Sequence, residues 1–365
     1  MKKVLSRAEV TEAVDNVVGI FRREGPEGIT QRYRVYHNER NGIHMFTYLK
    51  SMIAVSDWAP EEMVCRGLML NDDGGIVAMP FEKFFNLGEV DFGLWEYGPI
   101  EVSQKIDGSL GIVYKDADGW SVATKGGFDN DHALWATERL RNCPNLDFYN
   151  GITLLLEIAW EGNRNVARHE DGLYLLGARW WSTGEITLPC EAIKSGWCDD
   201  FKHIRRTTIS DPENLSYMMG KLEEEREEGL VCRTKLGHTV KVKTDWYVQA
   251  HRALWGVGSI TPRNIAKHIL DDVADDVLSI MPPHMKKEYS NMLAHVMYVA
   301  EALADAIVET TELWQYDSRK EYAMLVKSEM PPQLHHPCFV WLNKDRGKLV
   351  RSIIEQIARH GELQL

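Results

Sequence analysis

The spacing of apolar positions changes near residue 255. From about residue 28 to 250 they come as short runs and alternations of strand length. Ile152-Thr153-Leu154-Leu155-Leu156-Glu157-Ile158 is continuous enough to predict a strand buried on both faces. Leu110-Gly111-Ile112-Val113-Tyr114 and Trp120-Ser121-Val122-Ala123-Thr124 flank Asp116-Ala117-Asp118-Gly119, which predicts a hairpin. Leu173 through Arg179 predicts another strand. Beyond 255, Asn291 through Leu313 and Lys348 through Ile357 repeat apolar residues at helical spacing. Pro331-Pro332 breaks the helices between them. The pattern predicts an α+β domain over residues 1–254, with an N-terminal extension, and an all-helical domain over 255–365. No internal repeat or low-complexity segment interrupts either.

Composition narrows the class. With 44% hydrophobic and 26% charged residues in 365, the chain has the make-up of a soluble globular protein. No apolar run reads as long enough to span a bilayer, so no membrane partner is expected. Met1-Lys2-Lys3-Val4-Leu5-Ser6-Arg7 lacks the apolar core of a signal peptide. Cys65, Cys143, Cys190, Cys198, Cys232 and Cys338 form no Cys-x-x-Cys pair, and no His cluster completes a zinc site. Reduced, mostly buried thiols in a cytoplasmic protein are expected. The net charge of −12 excludes coating of nucleic acid by the whole surface, but it leaves room for a local basic cleft.

The candidate chemistry centres on Gln104-Lys105-Ile106-Asp107-Gly108-Ser109-Leu110. A lysine two residues before Asp-Gly, at the end of a strand-like run, is how nucleotidyl-transferring enzymes present an amine to a phosphate. Such an amine can hold a nucleotide monophosphate as a phosphoramidate, splitting one hard condensation into easier steps. Alone the motif is weak. Downstream, Thr239-Val240-Lys241-Val242-Lys243 places Lys241 and Lys243 on one strand face and the valines on the other. Two ammonium groups there suit a polyanion. They are also expected to lower the pKa of a neighbouring Lys105, which at its ordinary value is protonated and not nucleophilic. A solvated edge-strand face is the plainer reading of the pair.

Glu228-Gly229 lies just before them. A carboxylate at a strand start can hold a divalent metal against a phosphate; the end of a solvated acidic helix fits as well. Glu157 directly follows an apolar run, so it needs a partner. A ribose hydroxyl and Arg164 are both candidates. Arg66, Lys83 and Lys125 add cations, the last beside flexible Gly126-Gly127. Phe84, Phe85, Trp246 and Tyr247 read as core.

Taken in order, these segments resemble the phage T4-type RNA ligase 1 family of covalent nucleotidyltransferases. The segments are Cys65-Arg66-Gly67, Glu82-Lys83-Phe84-Phe85-Asn86-Leu87, Lys105-Ile106-Asp107-Gly108-Ser109, Thr124-Lys125-Gly126, Glu157 with Asn163-Arg164, Glu228-Gly229, and Lys241 through Val248. The resemblance covers roughly residues 55–250. It implies a nucleotidyltransferase domain of ATP-grasp-like antiparallel sheets. It implies ATP as substrate, Mg²⁺ or Mn²⁺ as cofactor, and Lys105 as the adenylylated nucleophile. Lys241 and Lys243 would contact the α-phosphate, and Glu157 the ribose. Glu228 would act through the metal, and Arg66, Lys83 and Lys125 would contact phosphate or ribose. Asp107 and Gly108 would shape the turn that presents Lys105, with Ser109 hydrogen-bonding inside it.

The implied partner is RNA with 5′-phosphate and 3′-hydroxyl ends, such as a nicked tRNA anticodon loop, sealed by a monomer in RNA repair. A phage-encoded chain would work in the host cytoplasm. Two departures stand out. Gly127 sits where the family has serine. The first 50 residues and the helical region match only loosely, which puts a tRNA-selecting role for residues 255–365 in doubt. Asp271-Asp272 resembles an acidic pair of the family, so a second metal site and a solvated helix end both fit. DNA ligases and capping enzymes share the Lys-x-Asp-Gly chemistry, but they carry a β-barrel after the lysine pair where this chain reads helical. A catalytically silent nucleic-acid-binding protein would be expected to lose Lys105, Glu228 or the lysine pair, and all are present.

Overall fold

A computed structural model describes residues 2–54, 57–142, 151–160, 162, 166, 167, 169–187, 201–255, 260–281, 283–361 and 363. The chain forms two compact units. One comprises Met1–Leu49 and Ser56–His251, the other Lys50–Val55 and Arg252–Leu365.

The first unit opens with α1 (Arg7–Thr30), in a stretch for which the pattern above predicts no element. Ser6 and Glu9 form a capping box at its start, and Val10, Ala13, Val14, Val17, Val18 and Phe21 are buried along it. Gly25, at φ +71, interrupts the helix just before Pro26. Then follow β1 (Val35–Arg40), β2 (Ile43–Tyr48), α2 (Pro60–Val64), β3 (Arg66–Asn71) and β4 (Ile76–Ala78). These four strands make an antiparallel sheet in chain order.

Next come β5 (Ile100–Lys105), β6 (Ser109–Asp116), β7 (Gly119–Ala123), α3 (Asp131–Leu140), β8 (Ile152–Ala159) and β9 (Gly172–Trp180). The unit continues through β10 (Ile186–Thr187), β11 (Lys202–His203), β12 (Arg206–Ile209), α4 (Pro212–Glu224), β13 (Gly229–Thr234) and β14 (Thr239–Lys243). A second sheet runs β10-β9-β8-β6-β7, with β11 parallel to β9; a third runs β12-β5-β13-β14. The expected hairpin is β6–β7 and the expected buried strand is β8. Leu154, Leu156 and Ile158 pack with Val113, Val122 and the Ala136 and Leu140 of α3. Leu155 points the other way, to Ile112, Tyr114 and Phe81. Burial on both faces explains the unbroken apolar run of β8. In the third sheet Val240 and Val242 face a core with Val102, Leu230 and Cys232, which leaves Lys241 and Lys243 on the opposite face.

The helix α5 (Asp245–Trp255) crosses the boundary between the units. The second unit holds α6 (Pro262–Leu270), α7 (Ala274–Ile280), α8 (Pro283–Glu312), α9 (Arg319–Glu329), α10 (His335–Trp341) and α11 (Arg346–His360). Met330 caps α9 immediately before Pro331-Pro332. One expectation is corrected here. By length and composition α8 is apolar enough to cross a membrane, a window within Met285–Glu312 reaching a mean hydropathy of 1.2. Tyr289, Leu293, Val296, Ala300, Ala304 and Ile307 nevertheless lie at helical spacing in the core of this unit, with Ile265, Ile353 and Ile357.

Candidate active site

Strand register builds the centre of the site. Lys105 ends β5 directly opposite Gly229 of β13, and Gly229 in turn pairs with Lys243 of β14. Glu228, the residue before Gly229, therefore sits between two lysines. Its Oε2 is 2.7 Å from Lys105 Nζ and its Oε1 is 3.1 Å from Lys243 Nζ. The Glu228 side chain is 1% exposed, so the two ammonium groups are what make a buried carboxylate tolerable there. Gly229 is required at this crossing. Its φ is +152, and a Cβ on it would run into the backbone carbonyl of Val242.

The turn after Lys105 is held just as closely. Asp107 Oδ2 accepts the backbone N–H groups of Val166 at 2.7 Å and Ala167 at 3.0 Å, while Oδ1 accepts the Tyr247 hydroxyl at 3.2 Å. A Cβ on Gly108 would stand 2.5 Å from the carbonyl oxygen of Ile158 and 2.9 Å from the Glu157 side chain, so this strand approach excludes any larger residue. Asp107 and Gly108 thus shape the turn.

Three carboxylates, those of Asp107, Glu157 and Glu228, act on one another and on Lys105. Burial, reinforced by the Glu228 charge, pushes the Asp107 carboxyl up to about 7. Burial also pushes Glu157 up to about 7, against the pull of Lys105 and Arg66. For Lys105 the expected direction is reversed. Burial works against its charge and Lys243 repels it, but Glu228 and Glu157 together outweigh both and hold it above the ordinary lysine value. The Lys241 charge is felt at Glu89.

The remaining cations line neighbouring elements. Arg66 opens β3, stands 5.4 Å over the Phe84 ring, donates to the Glu82 carbonyl at 3.4 Å, and keeps its Nε buried without a hydrogen bond. Lys83 is 7% exposed, and its ammonium lies 5.6, 5.9 and 6.0 Å from the Phe85, Trp58 and Tyr48 rings. Phe85 is core, as expected, but it also lines this lysine. The Lys241 N–H donates to the Phe85 carbonyl at 3.0 Å, which ties the two segments together. The Lys125 carbonyl accepts from the hydroxyls of Tyr36 at 3.0 Å and Thr47 at 3.1 Å, anchoring its turn to β1 and β2.

Other residues fall elsewhere. Arg164, with Asn163, lies outside the described residues, as do Cys143, Cys190 and Cys198. Cys65, Cys232 and Cys338 are free and buried. Asp271 is the C-cap of α6, and Asp272, at φ +60, lies 3.8 Å from Lys50. Among the described residues no group of three His, Cys, Asp or Glu side chains is placed to hold a metal. Arg179 was missed. It makes a buried ion pair with Glu82 at 2.7 Å, and an arginine within an otherwise apolar strand was the available signal.

A family model described as RNA ligase, of the T4 type 1 group, matches residues 64–247, just over half of the chain. The chain belongs to the T4 RNA ligase 1-type family. A Thermovibrio ammonificans protein described provisionally as an RNA ligase is 24% identical over 283 residues, 70% of each chain. Two solved structures are more distant. One, described provisionally as an ATP-dependent DNA ligase from Aquifex aeolicus, is 14% identical over 83% of this chain and 79% of that one, with a TM-score of 0.48. The other, an archaeal ATP-dependent RNA ligase, is 13% identical over 75% of this chain and 78% of that one, with a TM-score of 0.44. The matched span 64–247 contains the positions of Arg66, Lys83, Lys105, Lys125, Glu157, Glu228, Lys241 and Lys243.

Proposed function

We propose that this RNA ligase uses ATP to join 5′-phosphate and 3′-hydroxyl RNA ends through three displacements at phosphorus, in RNA repair. In the first, Lys105 Nζ gives its lone pair to the α-phosphorus and loses a proton. The bond from that phosphorus to the bridging oxygen breaks, and pyrophosphate leaves. In the second, an oxygen of the RNA 5′-phosphate attacks the lysyl-AMP; the phosphorus–nitrogen bond breaks and Lys105 regains its proton. In the third, the 3′-hydroxyl attacks the activated 5′-phosphate, loses its proton and expels AMP. Positioning and charge carry most of such catalysis.

The observation that carries this reading is the sharing of one buried carboxylate, Glu228, by Lys105 and Lys243. It puts an amine and a second cation within one phosphate's reach. The same pairing sets a requirement on nucleotide binding. Lys105 is protonated in its pair with Glu228, so the pair has to open and the ammonium has to give up its proton to solvent before Nζ can attack. Glu157 would accept from a ribose hydroxyl, with Arg66, Lys83, Lys125 and Lys241 binding phosphates or ribose. One buried carboxylate beside nucleotide phosphates suits Mg²⁺ or Mn²⁺ better than a cage made by protein alone. Such a cation, when bound, neutralises phosphate charge, and Glu228 is the residue to hold it. The buried free thiols of Cys65, Cys232 and Cys338 fit work in a reducing cytoplasm.

Incubation with ATP labelled at the α-phosphate and Mg²⁺ should leave label covalently on the protein, and Lys105→Ala should abolish it. Adding 5′-phosphorylated single-stranded RNA, or a nicked tRNA, should then give sealed product. Undiminished labelling of Lys105→Ala overturns the reading, and sealing only of nicked duplex DNA overturns the RNA substrate.

A further inference from the structure

We propose that Lys2 is a positioning residue that keeps Lys241 available to nucleotide phosphate by pairing with Glu89. The proposal rests on the nucleotidyl-transfer reading above, in which Lys241 binds phosphate. Lys2 precedes α1, in a segment to which neither the strand pattern nor the motifs give a role. Its Nζ lies 3.3 Å from Glu89 Oε2. The same Nζ stands 5.1 Å from the centre of the Phe85 ring. That ring is also 5.6 Å from Lys83 Nζ, and the Phe85 carbonyl accepts the Lys241 N–H at 3.0 Å. Asn86 forms a parallel bridge with Lys241. Lys2 therefore reaches residues 85–89, the stretch that borders β14 at Lys241. The segment is held in that place. Val4 packs with the core around Val102, Leu230 and Val240, and Leu5 is buried. The Arg7 N–H donates to the Leu236 carbonyl at 2.8 Å, in the turn between β13 and β14.

Glu89 is the reason a cation is needed there. Burial pushes its carboxyl up, but the Lys2 charge, a hydrogen bond from Asn86 and the Lys241 charge outweigh burial and hold it below the ordinary glutamate value. Glu89 and Lys241 thus feel one another. A carboxylate beside a phosphate-binding lysine competes with phosphate for the ammonium and repels the incoming anion. With Lys2 on that carboxylate, one negative charge is divided between two positive ones, and the pair of lysines keeps an excess of positive charge toward the nucleotide. Without Lys2, Glu89 and Lys241 cancel. Both partners of the Lys2–Glu89 pair are 21% exposed, so the effect is modest, of the order of a fivefold change in binding. It falls on nucleotide affinity, because the proposal gives Lys2 no contact with a reacting atom.

The test is a double-mutant cycle read by the kinetics of protein–AMP formation in the full chain. Lys2→Gln should raise the KM for ATP roughly fivefold, while the rate at saturating ATP and Mg²⁺ moves by less than about twofold. Lys2→Arg keeps the charge and should leave the KM within about twofold of wild type. Lys2→Gln combined with Glu89→Gln should return the KM to within about twofold of wild type, because no carboxylate then competes for Lys241. A wild-type KM in Lys2→Gln overturns the proposal. A raised KM that persists in the double variant also overturns it, since Lys2 would then act on the nucleotide and not through Glu89. So does a rise that Lys2→Arg shares, which would trace to side-chain shape and not to charge. Wild-type protein that takes no label on Lys105 overturns the underlying reading, and that result is seen before any variant is compared.

Discussion

Lys105 Nζ rests 2.7 Å from Glu228 Oε2, and this contact keeps the candidate nucleophile protonated. The same glutamate is therefore a restraint on Lys105 in the free protein and the proposed metal ligand when nucleotide is bound.

The two roles can be pulled apart. Glu228→Gln removes the negative neighbour, so the Lys105 pKa should fall. Its amine should then react roughly 10-fold faster with a small acylating reagent at pH 8. Protein–AMP formation should nonetheless fall by about 100-fold or more, because a basicity gain cannot replace the lost carboxylate. Peptide mass spectrometry gives the first number and ATP labelling the second. Unchanged acylation of Lys105 would show that Glu228 does not hold its proton.

Glu157 gives a pH signature. Its folded pKa, about 7, lies above its unfolded value, so the group favours the folded state below roughly pH 4. That contribution is lost as pH rises through 7, because the native state has to ionise a buried carboxyl that the unfolded chain ionises freely. Glu157→Gln has no such loss. Its stability relative to wild type should therefore improve between pH 5 and pH 8, by about 2 kcal/mol. Denaturant unfolding at the two pH values decides it; a constant difference would mean that Glu157 is ionised throughout.

Much of this site was legible because strand geometry is local. Alternation alone separates Lys241 and Lys243 from Val240 and Val242, and a glutamate inside an apolar run marks Glu157. The two-sided burial of β8 follows from its unbroken hydrophobic run. What could not be read depends on register between distant segments. Nothing near Lys105 in the chain says that Gly229 lies opposite it, so the double pairing of Glu228 was invisible. For that reason the expected shift of Lys105 came out with the wrong sign: the like charges were counted and the carboxylates were not. The buried pair of Arg179 with Glu82 bridges segments nearly a hundred residues apart and was hidden for the same reason. The start of α1 carries the capping pair Ser6 and Glu9, a signal present in the sequence but not used.

Gly229→Ala should be among the most damaging single-atom changes in the first unit. The new Cβ collides with the Val242 carbonyl, and the φ of +152 is one that alanine adopts only under strain. Relief requires β13 and β14 to part at the point where Glu228 meets Lys105 and Lys243. A loss of about 3 kcal/mol or more is expected, with protein–AMP formation falling further than folding accounts for. Thermal unfolding and labelling on the same sample test this. Alanine accepted with under about 1 kcal/mol of loss would mean that the strand crossing is looser than the register implies.

The Glu82–Arg179 pair tests a different dependence, that of one part of the site on a buried charge behind it. Both side chains are nearly inaccessible, 4% and 3% exposed, and the 2.7 Å contact joins β9 to the segment that carries Lys83. Arg179 also donates to the Pro80 carbonyl at 2.5 Å and stands 5.9 Å over the Phe81 ring, so it organises the whole approach to Lys83. Arg179→Met leaves the Glu82 carboxylate buried without its ion-pair partner, with the charge of Arg233 still acting on it, which should cost about 3 kcal/mol. Removing the second charge as well, in Arg179→Met with Glu82→Leu, should recover most of that stability, because an apolar pair of similar volume needs no desolvated ions. Activity should not recover with it. The Glu82 carbonyl accepts from Arg66, and Lys83 follows directly, so repacking here should raise the KM for ATP even in a stable protein. Recovery of stability with a wild-type KM would show that the pair serves folding alone.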